Sequence, residues 1–163
     1  FKKDKNCYFL SADQGSFGYN ILVKKFPNRV INVGIAEQNM IGIAAGLALE
    51  KKTVFVYAIS SFLYSRAYEQ IKLNLCSMNL NVCLIASGPG FCYSPDGPTH
   101  YSLEDISIYN NLPNFKIYSP IDFPNPVPPP VIRTTFFTNV SSGSIPFTFI
   151  FTSINYLVKK INF

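Results

Sequence analysis

The sequence predicts a three-layer α/β/α domain on a mainly parallel sheet. Three observations predict it. At 163 residues, with 48% apolar side chains and 14% charged ones, the chain can bury one sizeable core. Short apolar runs recur along it, most of them apolar on both faces, as parallel strands covered on each side should be. Helical patterns lie between those runs, and strand–helix alternation of this kind builds α/β layers.

The elements follow in order. "CYFLSA" (7–12) and "RVINV" (29–33) read as strands rich in aromatic and β-branched residues. Residues 36–50 hold Ala, Met, Ile, Leu and Gly with few charges, which predicts a buried helix. "TVFVYAI" (53–59) is the next strand. Residues 65–78 place Tyr68, Ile71, Leu75 and Met78 at spacings of three and four, a single apolar stripe. "NVCLIAS" (81–87) and "FKIYS" (115–119) are further strands, flanking "SLEDISIYNNL" (102–112). That segment opens on Ser102 with Asp105 three residues on, close to a capping box. The tail differs. "SPIDFPNPVPPPV" (119–131) is too rich in proline for a regular helix or a central strand, and a strand is expected again near 147–152. We therefore divide the domain into a core, 1–122, and a divergent proline-rich C-terminal part, 123–163.

Composition excludes several classes of protein. The net charge of +5 comes from scattered pairs such as Lys24–Lys25 and Lys51–Lys52, with no long basic run or basic–aromatic stripe, so no nucleic-acid partner is expected. Cys7, Cys76, Cys83 and Cys92 form no C-x-x-C pair and only one His exists, so no metal site is expected. Apolar neighbours around Cys7, Cys76 and Cys83 suit small core residues in a reducing, cytoplasmic compartment. No apolar run approaches the ~18 residues of a membrane span, so no membrane partner is expected. "FKKDKN" lacks a signal peptide's apolar segment, and the chain opens without an initiator Met, as a fragment would.

Chemistry concentrates in a few places. In "VINVGIAEQNMIGIAAGLALE" (30–50) a strand, a glycine and an apolar helix follow one another, and a single carboxylate, Glu37, sits at the helix start. Two readings are open: a first-turn acid that complements the helix dipole, or a desolvated carboxyl whose neutral form donates a hydrogen bond to a ligand. "SSFLYSRAYEQ" (60–70) carries Phe62, either a core residue or a flat wall beyond a strand end, with Tyr57 and Tyr64 as further candidates for that wall. Arg66 is either an anion ligand or a surface ion pair with Glu69 or Glu104. "SPDGPTH" (94–100) is a turn-rich loop from which Asp96 and His100 project; an Asp accepts from hydroxyls, and a His moves protons near neutral pH. "SGPG" (87–90) is neither a dinucleotide fingerprint nor a P-loop and reads as a turn toward the same place.

"NVGIAEQNMIGIAAGLAL", "SFLYSRAYEQI", "MNLNV", "DGPTHYSLEDISI" and "LPNFKIYSP" stand in an order and spacing that closely resemble the pyrimidine-binding domain of the transketolase family. The likeness runs from about residue 10 to 122. It is greatest to the separate C-terminal subunit of split transketolases and more distant to 1-deoxyxylulose-5-phosphate synthase. The resemblance implies the thiamine diphosphate-binding fold. It implies that Glu37 contacts the ring nitrogen of the cofactor's aminopyrimidine and promotes the tautomer that deprotonates the thiazolium carbon, chemistry that belongs to the cofactor. It further implies that Phe62 packs on the pyrimidine ring, that Asp13 in "SADQG" lies near the cofactor pocket, that Asp96 and His100 face a sugar's hydroxyls and carbonyl, and that Arg66 binds substrate phosphate.

By the same resemblance the reaction is transfer of a two-carbon ketol unit between sugar phosphates. The family's diphosphate- and magnesium-binding G-D-G motif is absent from this sequence and belongs to another domain or subunit. The expected partners are thus a diphosphate-binding domain that holds Mg²⁺, a sugar phosphate and further protomers, with the isolated chain inactive. Two departures stand beside the likeness: "PNPVPPPV" replaces a helix, and "PFTFIFTS" replaces an arginine-bearing strand end. An inactive assembly or regulatory subunit that keeps the fold is the alternative reading, and a stand-alone small-ligand binder the third.

Overall fold

The structure is a computed structural model and describes residues 1–15, 18–118 and 148–151. Among the described residues six strands form one sheet: β1 (Cys7–Ser11), β2 (Val30–Asn32), β3 (Thr53–Ile59), β4 (Val82–Ser87), β5 (Lys116–Tyr118) and β6 (Thr148–Phe151). Their spatial order is β2-β1-β3-β4-β6-β5, and every neighbouring pair is parallel. The strand expected near 147–152 is β6, beside β4. The proline-rich segment 119–131 lies outside the described residues.

Strand alternation sorts the core into two layers. Leu10, Val54, Val56 and Leu84 face Met40, Ile41 and Ala44 of α2 (Glu37–Leu49), together with Ile71 and Leu75. On the other face, Phe9, Tyr57 and Ile85 pack with Leu22 of α1 (Tyr19–Lys25). The chain passes from β1 outward to β2 and then back across to β3, so α1 and α2 take opposite faces and a topological switch lies between β1 and β3.

α2 was expected as a buried helix over 36–50. Instead Glu37, Met40, Ile41, Ala44 and Ala45 form one buried stripe at helical spacing, while Gly42, Gly46 and Leu49 are exposed in this chain. The second apolar stripe also differs. α3 (Ser60–Tyr64) and α4 (Tyr68–Gln70) are short, and α4 runs into a π-helical turn, Ile71–Ser77. The wider turn brings Cys76 into the core beside Leu75, and Met78 is left half-exposed.

All four cysteines are free thiols. Burial pushes Cys76 and Cys83 up to about 12 and raises Cys7 and Cys92 as well, but Cys92 alone is exposed. We expect dithiobis(nitrobenzoate) to react rapidly with Cys92 in the native chain, and with the other three only in denaturant. A second rapid equivalent, or a rapid phase that survives in Cys92→Ser, would contradict this packing.

Candidate functional site

Because β1, β2, β3 and β4 are parallel, their carboxyl ends share one edge of the sheet, where open α/β folds bind ligands. Asp13 follows β1, Glu37 follows β2, Phe62 follows β3, and Asp96 and His100 follow β4.

The β2 exit is built around Asn32. Its Oδ1 accepts from the backbone N–H of Gly34 at 3.0 Å and of Asp13 at 2.9 Å, and its Nδ2 donates to Asp13 Oδ1 at 3.0 Å. Gly34 takes φ +76° and Asp13 φ +51°, conformations that Gly adopts freely and Asp tolerates. The sequence reading did not include Asn32; its place just before the Gly-turn was the available signal. This pinned turn delivers Glu37 as the first residue of α2, after Ala36, which supplies no side-chain cap.

Glu37 is 2% exposed. Its Oε2 accepts from Arg66 Nη1 at 3.1 Å. Arg66 was weighed as a partner of Glu69 or Glu104; the structure corrects that. Glu104 instead lies 2.9 Å from the Tyr64 hydroxyl, which is also 3.0 Å from the Tyr101 carbonyl oxygen and donates to one of them at a time. Burial and the Glu104 carboxylate push Tyr64 up to about 12. Arg66 is 45% exposed, and its guanidinium carbon lies 4.2 Å from the Phe62 ring centroid. Phe62 in turn meets the His100 ring edge-on, 5.0 Å between centroids at 68°. Glu37, Arg66, Phe62 and His100 thus form one continuous run of contacts.

His100 closes a short 3₁₀ turn, Pro98–His100, and its Nδ1 is 2.9 Å from Thr99 Oγ1. Antiparallel hydrogen bonds between Gly90 and Ser102, at 2.9 and 3.0 Å, close the base of its loop. Gly88, at φ +71°, lies against the Tyr93 ring where a Cβ would clash, which fixes the loop's departure from β4. Asp96 is exposed in the preceding turn, Ser94–Asp96.

Behind this surface lies a group that the sequence reading assigned only to a helix cap. Asp105 is 3% exposed and opens α5 (Asp105–Tyr109). Its Oδ2 accepts from Ser60 Oγ at 2.8 Å and from Ser102 Oγ, and its Oδ1 accepts from the Ile106 N–H at 2.7 Å. The reciprocal capping box is absent, because the Ser102 N–H donates to Gly90 O instead. Asp105 joins the start of the Phe62 helix to the end of the His100 loop. Desolvation raises its pKa from the ordinary aspartate value, against the lowering effect of its three donors.

Tyr57 does not join the wall; it is buried in the α1-side layer, and burial pushes its hydroxyl up to about 12. Among the described residues, no group of His, Cys, Asp and Glu could hold a metal ion, and no helix is long and apolar enough to cross a membrane.

The family model "Transketolase, pyrimidine binding domain" matches residues 1–125, and the chain belongs to that family. It is 44% identical over 98 residues to one subunit of the apulose-4-phosphate transketolase of Actinobacillus succinogenes, covering 60% of this chain and 32% of the relative. It is 43% identical over 105 residues to a 1-deoxy-D-xylulose-5-phosphate synthase of Syntrophus aciditrophicus, covering 64% of this chain and 16% of that enzyme. A solved split-gene transketolase, described as an inactive β4 tetramer, superposes with a TM-score of 0.64 at 34% identity, covering 74% of this chain and 39% of the other. The chain therefore spans a third or less of the length of these two curated relatives. The likenesses bear out the expected fold and family.

Proposed function

We propose that this chain supplies the aminopyrimidine half of a thiamine diphosphate site in a transketolase that moves a two-carbon ketol unit between sugar phosphates. The observation that carries the reading is the buried Glu37 carboxylate, joined through Arg66 to the Phe62 face, in a chain of this family. The residues present fit the cofactor's ring. A planar group with an N–H edge already sits between that carboxylate and that aromatic face, in the form of the Arg66 guanidinium.

When bound, thiamine diphosphate supplies a thiazolium carbon that adds to a ketose carbonyl. Glu37, buried at the start of α2, would hold the pyrimidine ring nitrogen through a shared hydrogen bond. Phe62 offers a flat apolar face to the ring. Asp13 borders the cofactor pocket. His100 donates to, or takes a proton from, a sugar oxygen, Asp96 accepts from a sugar hydroxyl, and Arg66 pairs with a substrate phosphate.

Residues 1–122 would form the core of this domain, with 123–163 its divergent remainder. A diphosphate-binding partner would hold Mg²⁺ through oxygen ligands, in a cytoplasmic oligomer. Both transketolase relatives named above are subunits or split-gene products, which supports a separate partner.

Calorimetric titration with thiamine diphosphate and Mg²⁺ tests the reading. The chain alone should give little heat, because phosphate and magnesium supply much of the anchoring. Addition of a diphosphate-domain partner should produce magnesium-dependent binding. Tight magnesium-dependent binding by the chain alone would overturn the half-site, and no binding by the assembled pair would overturn the function.

A further inference from the structure

We propose that Arg66 is a place-holder for the cofactor's pyrimidine ring, keeping the seat in order until the ring displaces it; this rests on the functional reading above. Two contacts define the seat, and Arg66 makes both. Its Nη1 donates to the buried Glu37 Oε2 at 3.1 Å, and its guanidinium lies 4.2 Å from the Phe62 centroid. A guanidinium is planar, donates from its edge and stacks on its face. An aminopyrimidine is likewise planar, can lie on the same aromatic face, and would engage the same carboxyl through its ring nitrogen. The two groups therefore compete for one carboxylate and one aromatic face.

The competition is balanced so that the occupant can leave. Glu37 is 2% exposed and would be costly to leave without a partner. Arg66 is 45% exposed, so its end of the pair is screened by water and can swing outward by side-chain rotation. Its neighbour Ala67 is fully buried, which fixes the backbone about which that rotation occurs. Arg66 thus protects the buried acid in the free chain without sealing the seat.

Removal of Arg66 should move stability and affinity in opposite directions. Arg66→Ala leaves the buried Glu37 without its ion-pair partner, which lowers the melting temperature. The same change vacates the Phe62 face. A residue that merely supported the pocket would lose affinity together with stability. Arg66→Lys keeps a cation near Glu37 but cannot stack as a plane, so its affinity should fall between wild type and Arg66→Ala, and it serves if the alanine variant fails to fold.

The test is a titration of the full chain with millimolar thiamine, the aminopyrimidine probe without its diphosphate. It is followed by the NMR signals of His100, the sole histidine, which packs on Phe62. Arg66→Ala should bind roughly threefold to thirtyfold more tightly than wild type, the sum expected of a screened ion pair and an exposed cation–π contact. Binding seen only in the variants supports the proposal too. Equal or weaker binding by Arg66→Ala and Arg66→Lys, or no binding by any chain, overturns it. In that case magnesium-dependent binding by the assembled pair would still stand for the function by itself.

Discussion

Glu37→Gln should slow proton–deuteron exchange at the thiazolium carbon by about 10²–10⁴-fold in a complex that supplies the diphosphate-binding domain. Gln fills the same volume and keeps an oxygen for Arg66, but it cannot give up or take a proton at the ring nitrogen. Cofactor contact should be largely retained. Stability should fall by no more than about 1 kcal/mol, because the ion pair lost is half-exposed on the Arg66 side. If exchange stays at the wild-type rate in a cofactor-loaded complex, Glu37 is an ordinary helix-start acid.

Asp105→Ala is expected to cause the largest loss of stability, on the order of 3 kcal/mol in urea unfolding. It strips the acceptor from Ser60 Oγ, Ser102 Oγ and the Ile106 N–H at a site 3% exposed. Each buried group left unsatisfied costs about 1–3 kcal/mol, and rotation of the two hydroxyls toward other acceptors recovers part of the sum. Asp105→Asn should be milder, since its carbonyl still serves Ile106. The pH dependence separates the two roles of this acid. Its folded pKa lies above the unfolded value of about 3.9, so the folded chain binds more protons in that window. Its contribution to stability is then greatest below the unfolded pKa and falls as pH rises through the folded one. Asp105→Asn should remove that fall; an unchanged pH profile would mean that Asp105 is not the titrating group.

The strands were legible because apolar runs on both faces have few alternatives, and β3 occupies the expected 53–59. α1 was missed because Leu22 is its only buried residue while Ile21 and Val23 face outward, so no helical stripe shows in the sequence. The π-helical turn was illegible for a related reason: Tyr68, Ile71, Leu75 and Met78 fit an ordinary helix equally well, and only the backbone shows that Cys76 takes the inward place. At the site, residue types and strand ends could be read, but pairings could not. Glu37 and Arg66 stand 29 positions apart, while Glu69, within one helical turn of the arginine, competes for it on paper. Asp105 was concealed by a spacing that resembles a cap, when its real partners include Ser60, 45 positions away.

A crystal structure of the chain assembled with a diphosphate-domain partner, thiamine diphosphate and Mg²⁺ tests the central claim most directly. The account predicts the pyrimidine ring nitrogen within ~2.6–3.2 Å of a Glu37 carboxyl oxygen, the ring against Phe62, and Arg66 swung away from both. A cofactor bound elsewhere, with the Glu37–Arg66 pair intact over Phe62, would contradict it.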